Sequence, residues 1–203
     1  MSKGTAISQD QLFVYKPFQL SCFNSCSDKL EAIFNKKCYV IEKIPCKQKI
    51  SDGVLWLDAH GLQHPGKTGY MLAINKDSVD SEYQDELYES DRPGVSFLPS
   101  SVLPMFFDVH KSIIILDNCY SSQVAIDTLT QWKDNMIFTT GYIRDYYNDV
   151  ETGIVKAIGE AMDELRKNGI ETMSYRTVKD NKALINDFFA KINKEYDTQY
   201  NLF

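Results

Sequence analysis

The sequence predicts an α/β fold: a mostly parallel central sheet with helices on both faces, making a three-layer sandwich. Three observations predict it. Strand-like apolar runs alternate with helix-period segments along the chain, the order that builds parallel sheets with crossover helices. The run SIIILD at 112–117 has four consecutive apolar residues, three of them Ile, which suits a central strand covered on both faces. The chain has 203 residues, 43% apolar and 25% charged, enough for one core without disulfides or metals. Residues 1–203 are therefore read as a single domain.

The elements follow in order. Residues 12–20 (LFVYKPFQL) have strand character, and Pro17 moves them toward a sheet edge or a short strand. Ser27 precedes DKLEAIFNKK, where Leu30, Ile33 and Phe34 fall at helical spacing, so a capped helix is expected. CYVIEKI at 38–44 reads as a strand. Asp52-Gly53 marks a turn, and VLWLDAH follows as a buried strand. The loop LQHPGKTG leads into a short apolar run, YMLAI. Residues 75–94 are acidic and aperiodic and are expected to form a long exposed loop. A short helix is expected over 99–107, then the strand SIIILD. SSQVAIDTLTQW is a helix with Ser121 or Ser122 as its cap, and NMIFTTGYI is a strand. A long amphipathic helix over 151–167 stops at Asn168-Gly169, and a last helix covers 180–196.

Composition excludes some classes. The net charge is −6 with no block of like charges, which argues against nucleic acid or an anionic membrane as partner. No run of 18 apolar residues occurs, and residues 1–11 lack the apolar middle of a signal peptide, so a cytoplasmic protein is expected. The five cysteines (Cys22, Cys26, Cys38, Cys46, Cys119) are odd in number and irregular in spacing, which is no disulfide framework. Cys22 and Cys26 have metal half-site spacing but no second pair. Neither a metal nor a cofactor is expected.

In open parallel sheets, sites form outside the carboxyl ends of the strands. Two chemically capable residues fall there: His60 after VLWLDA and Cys119 after SIIILDN. They are 59 residues apart, yet neighbouring parallel strands bring them together. A cysteine nucleophile reacts as its thiolate, and an imidazole can take the proton. The carbonyl under attack then needs donors for its growing negative charge. Gly61 follows His60 directly and allows close approach of the chain. The backbone amides of Gly61 and Cys119 are the expected oxyanion hole, with His60 and Cys119 as the catalytic pair.

LWLDAHG and IIILDNCYSS resemble the two signature blocks of clan CD cysteine peptidases, which have the caspase-like fold. The similarity is closest to the CHAT branch, whose blocks run apolar strand–x–x–His–Gly and apolar strand–Asp–x–Cys–Tyr–Ser. MIFTTGYIRDYYNDVETGIVKAIGEAM is similar to the strand and helix that come next in that family. The resemblance covers about residues 50–165. It departs at Ser122 and Gln123, where the family commonly has Gly, and at Ala59, where many relatives carry Gly or Ser. The resemblance implies a cysteine endopeptidase acting on a protein or peptide substrate. It also implies a regulatory protein partner that switches the enzyme on, in a defence or cell-death pathway. In relatives that cut after basic residues, an Asp two before the Cys lines the specificity pocket. Carried to Asp117, this implies cleavage after Lys or Arg. Asp117 as a loop-orienting residue stays open, as does an acidic pocket supplied by Asp77, Asp80, Glu82, Asp85, Glu86 and Glu89.

Two other readings compete. Residues 61–68 (GLQHPGKT) match the P-loop pattern, and SIIILD ending at Asp117 resembles the Mg²⁺-holding strand of a nucleotide hydrolase. A P-loop needs a helix to begin at its Lys-Thr, whereas GYMLAI reads as a strand, and Pro65 removes an amide from the cradle. The other reading is a catalytically silent interaction module, with Phe188, Phe189, Tyr196, Tyr200 and Phe203 as a docking surface.

Overall fold

A computed structural model describes residues 11–18, 23–63, 69–141 and 153–203. The chain opens with β1 (Gln11–Tyr15), α1 (Phe23–Phe34), β2 (Lys37–Val40), β3 (Cys46–Ser51) and β4 (Val54–Asp58). Then come β5 (Gly61–Gln63), β6 (Tyr70–Asn75), β7 (Tyr88–Glu89), β8 (Val95–Pro99), α2 (Leu103–Phe106), β9 (Phe107–His110) and β10 (Ile113–Asp117). The last third carries α3 (Ser121–Thr128), β11 (Met136–Thr139), α4 (Gly153–Lys167), α5 (Tyr175–Asp180), α6 (Lys182–Tyr196) and β12 (Asn201–Leu202).

The main sheet has the order β12-β11-β10-β4-β1-β2, parallel throughout except for β12. The chain leaves β1 for the edge at β2, then returns past β1 to β4. The winding therefore reverses between β1 and β4, and a crevice opens at the carboxyl ends of strands at such a point.

Alternating side chains divide the core into two layers, as strand geometry requires. Val14, Val54, Trp56, Ile113, Ile115 and Phe138 pack under α1, α4 and α6. Phe13, Leu55, Leu57, Ile114, Leu116 and Ile137 face the other way. That second face is covered by α2, α3 and the ribbon of β3 paired with β9. β4 and β10 are buried along their whole length, as their unbroken apolar runs require. Between them the chain builds a separate antiparallel sheet in the order β5-β6-β8-β7.

Several local expectations are corrected. β1 is the short strand of the two alternatives but lies inside the sheet rather than at an edge, because Pro17 lies two residues beyond its end and removes no ladder hydrogen bond. Ser27 is not a cap. Its Oγ donates to the Asn24 carbonyl at 2.8 Å, inside α1, which buries Cys26 and Leu30 one turn apart. Residues 75–94 are structured: two 3₁₀ turns, Lys76–Ser78 and Ser81–Glu86, precede β7. Three-residue turns carry no 3.6-residue period, so the pattern does not announce them. The long helix covers Gly153–Lys167, residues 151 and 152 of the expected span lying outside the described residues, and Gly169 takes φ +80° just past its end.

The aromatic residues near the carboxyl end are consumed by packing rather than displayed. Phe189 and Tyr200 are buried, Phe188 packs beside them, and Phe203 packs on the opposite face. Tyr196 alone of the five is exposed. β12 pairs with β11 along one side. On its other side Asn193 Oδ1 accepts from Tyr200 N (2.8 Å) and its Nδ2 donates to Tyr200 O (2.9 Å). Asn186 does the same to Leu202, both at 2.9 Å. Among the described residues no helix is long and apolar enough to cross a membrane.

Candidate active site

Two segments of the same form end adjacent strands: Leu57-Asp58-Ala59-His60 and Leu116-Asp117-Asn118-Cys119. β4 and β10 are parallel, and their register pairs Leu57 with Leu116 and Asp58 with Asp117. His60 and Cys119 each lie two residues past that last pair, so both leave the sheet at one edge and at the same height. β1, on the far side of β4, delivers Phe18 to this edge, and its ring lies 5.9 Å from the His60 ring, tilted by 36°. The carboxyl ends of β1, β4 and β10 thus converge where the winding of the sheet reverses. His60 is exposed and Cys119 is partly buried.

Gly61 joins the two halves. A Cβ built on it would stand 1.9 Å from the Cys119 carbonyl oxygen, 2.8 Å from its carbon and 2.9 Å from Asn118 Nδ2. The backbone at Gly61 therefore lies against the backbone at Cys119, and no side chain fits between them. Its amide is also oriented. Ala73 N donates to His60 O at 2.8 Å, which makes Gly61 and Leu72 a non-hydrogen-bonded antiparallel pair. The Gly61 N–H consequently points away from β6 and is not used by the hairpin ladder. That is what an oxyanion donor requires.

Beyond Cys119 the chain turns sharply. Tyr120 takes left-handed angles (φ 60°, ψ 23°), uncommon for a residue with a Cβ. Its ring lies 5.4 Å from that of Tyr70 on β6. A tight strand-to-helix turn of this kind lifts a nucleophile clear of the sheet. Asn118 is fully buried, and its Nδ2 donates to the Cys119 carbonyl at 2.7 Å. The end of β11 grips the turn from the other side. Thr140 Oγ1 donates to Asn118 O (2.9 Å), and Ser121 Oγ accepts from Thr140 N (2.8 Å) and Gly141 N (3.0 Å). Ser121 therefore does not cap α3, and neither does Ser122, whose Oγ meets Thr139 Oγ1 at 3.2 Å.

Asp117 is 1% exposed and Asp58 2%, side by side on neighbouring strands. The matching Leu-Asp-x spelling of the two blocks is the signal that points to Asp58, which the sequence reading passes over. The acidic residues of 75–94 face solvent, apart from partly buried Asp80, which pairs with Lys47 at 3.4 Å. Of the P-loop match, 61–63 form β5, 64–68 lie outside the described residues, and 70–75 form β6. A strand thus stands where the phosphate-binding helix is required. An open groove of about 730 Å³ lined by Asp28, Glu31, Ala32, Asn35, Lys36 and Lys37 lies where α1 hands over to β2, at the opposite edge of the sheet.

The other described cysteines are poor nucleophiles. Cys26 is fully buried. Burial, with Glu31 and Asp28 nearby, pushes the Cys38 thiol up to about 11, and burial raises that of Cys46. Iodoacetamide at pH 7 is therefore expected to label Cys119 ahead of Cys26, Cys38 and Cys46, read by peptide mass spectrometry. A folded Cys38 gains reactivity only as the pH climbs toward 11. Labelling of Cys38 at the Cys119 rate would contradict this order. No family model matches the chain, and no curated protein sequence matches it either.

Proposed function

We propose that this chain is a caspase-like cysteine endopeptidase of the CHAT type, cleaving a cytoplasmic protein substrate with His60 and Cys119. One observation carries the reading. The register of β4 with β10 sets the two residues at equal offsets past a buried Asp pair, with Gly61 against the Cys119 backbone. In the reaction, His60 takes the Cys119 proton and the sulfur attacks the scissile carbonyl. The amides of Gly61 and Cys119 hold the oxyanion. Its collapse breaks the C–N bond, and His60 returns the proton to the departing amine. Water, deprotonated by His60, then hydrolyses the thioester and restores the thiol. Substrate binding that uncovers Asp117, 1% exposed in the free chain, gives the pocket its preference for a basic residue before the cut. A regulatory protein partner switches the enzyme on, within a defence or cell-death pathway.

The test is a terminal-peptide digest of lysate from the source cells, which supplies both partner and substrate. New amino termini following Lys or Arg are expected. Cys119→Ala is expected to reduce their rate of formation about a millionfold, the scale seen when a nucleophile is removed. Equal cleavage by the Cys119→Ala protein sinks the proposal.

A further inference from the structure

We infer that Ser121 is a positioning residue that aims Cys119 at His60. The inference rests on the dyad reading above and adds a residue to it. Ser121 is fully buried although it is the first residue of a helix that leaves the site. A serine one place earlier, at the N-cap, would serve the amides of its own helix. Here its hydroxyl oxygen accepts from two amides of another element, Thr140 N and Gly141 N, and lies 2.8 Å from Thr140 Oγ1.

Thr140 closes the loop. Its Oγ1 donates to the carbonyl of Asn118, the residue before Cys119, so the hydrogen on Ser121 Oγ is free for Thr140 Oγ1 or the Gly141 carbonyl at 3.2 Å. Ser122 N donates to the same Gly141 carbonyl at 3.2 Å. The turn is thus held before and after the sulfur-bearing residue by one short stretch, 139–141, on the side of β10 away from His60. Gly61 presses on Cys119 from the other side. Cys119 sits between a clamp on β11 and a stop on β5.

The strained Tyr120 explains why a clamp is needed. A left-handed non-glycine residue is strained and persists only where its surroundings hold it. Without the Ser121 hydroxyl, two buried amides lose their acceptor and the turn is released toward ordinary angles, which swings Cys119 off its line to His60.

The experiment is a double-mutant cycle read by the iodoacetamide alkylation rate of Cys119, with Cys46 in the same molecule as reference. Ser121→Ala is expected to slow Cys119 about tenfold, within what misplacing a reacting group costs. Ser121→Thr, which keeps the hydroxyl, restores most of the rate. In a His60→Ala background Ser121→Ala has little further effect, because the residue acts through the alignment it maintains. Thr140→Val loosens the turn from its other end and serves where Ser121→Ala does not fold. If His60→Ala slows Cys119 while Ser121→Ala and Thr140→Val do not, the inference falls alone. Additive losses in the cycle also overturn it. If His60→Ala itself leaves the Cys119 rate unchanged, the dyad reading falls and takes the inference with it.

Discussion

Gly61→Ala is expected to cost about 3 kcal/mol of stability, the upper part of the usual range for overfilling a packed site, and to slow Cys119 alkylation. The reason is space rather than backbone conformation. The new methyl carbon would stand 1.9 Å from the Cys119 carbonyl oxygen, well inside any real contact. The obstructing atoms are backbone, so no side chain can swing aside. Either β5 moves, breaking the bond from Ala73 N to His60 O, or the turn at 118–121 moves against its clamp. Both movements separate His60 from Cys119. Urea unfolding followed by far-UV circular dichroism reads the first effect and Cys119 alkylation the second. A variant within about 0.5 kcal/mol of the parent, the ordinary range for a harmless surface change, and with unchanged labelling would mean that β5 does not lie against Cys119.

Trp56→Ala is expected to cost about 4 kcal/mol, a large part of the 5–15 kcal/mol that holds a domain together. Trp56 is completely buried at the centre of β4. Its register partners are Val14 on β1 and Ile115 on β10, both fully buried on the same face. Removing the indole leaves a cavity bounded by three strands of one sheet, which cannot close without shifting the register that aligns Asp58 with Asp117. Trp56→Phe keeps most of the volume and is expected to lose less than half as much. Denaturant midpoints of the two variants distinguish this from a peripheral tryptophan, for which both losses would be small.

What the sequence announces depends on how long each element repeats its pattern. β4 and β10 are unbroken apolar runs, and α4 keeps a helical stripe for four turns, so all three stand out. β3, β9 and β12 do not. CKQKIS has only two apolar residues, Cys46 and Ile50, separated by three polar ones, and FDVH is too short to show a period, while β12 is two residues recruited by pairing with β11. Their strand character comes from neighbours distant in the chain. The site divides in the same way. His60, Gly61 and Cys119 were legible because each sits at the end of an apolar run, where chemistry collects. Ser121 was legible as a serine before a helix and misread as its cap. Its true acceptor function depends on Thr140 and Gly141, brought to it only when β11 takes its place beside β10. Phe18, similarly, meets His60 only through the pairing of β1 with β4.

The two asparagines of α6 have a consequence for assembly. A strand at the border of a sheet offers alternate amides and carbonyls to any extended chain that arrives, including another copy of itself. At β12 those groups already belong to Asn186 and Asn193, whose side-chain amides copy the donor and acceptor spacing of a neighbouring strand. A seventh strand could join there only by displacing all four hydrogen bonds and lifting α6 from the core it helps to form. The helix that covers one face of the sheet thereby also terminates it. Growth of the sheet into a larger one, by a second molecule or by a fibril, is closed at that border by two residues far from any chemistry.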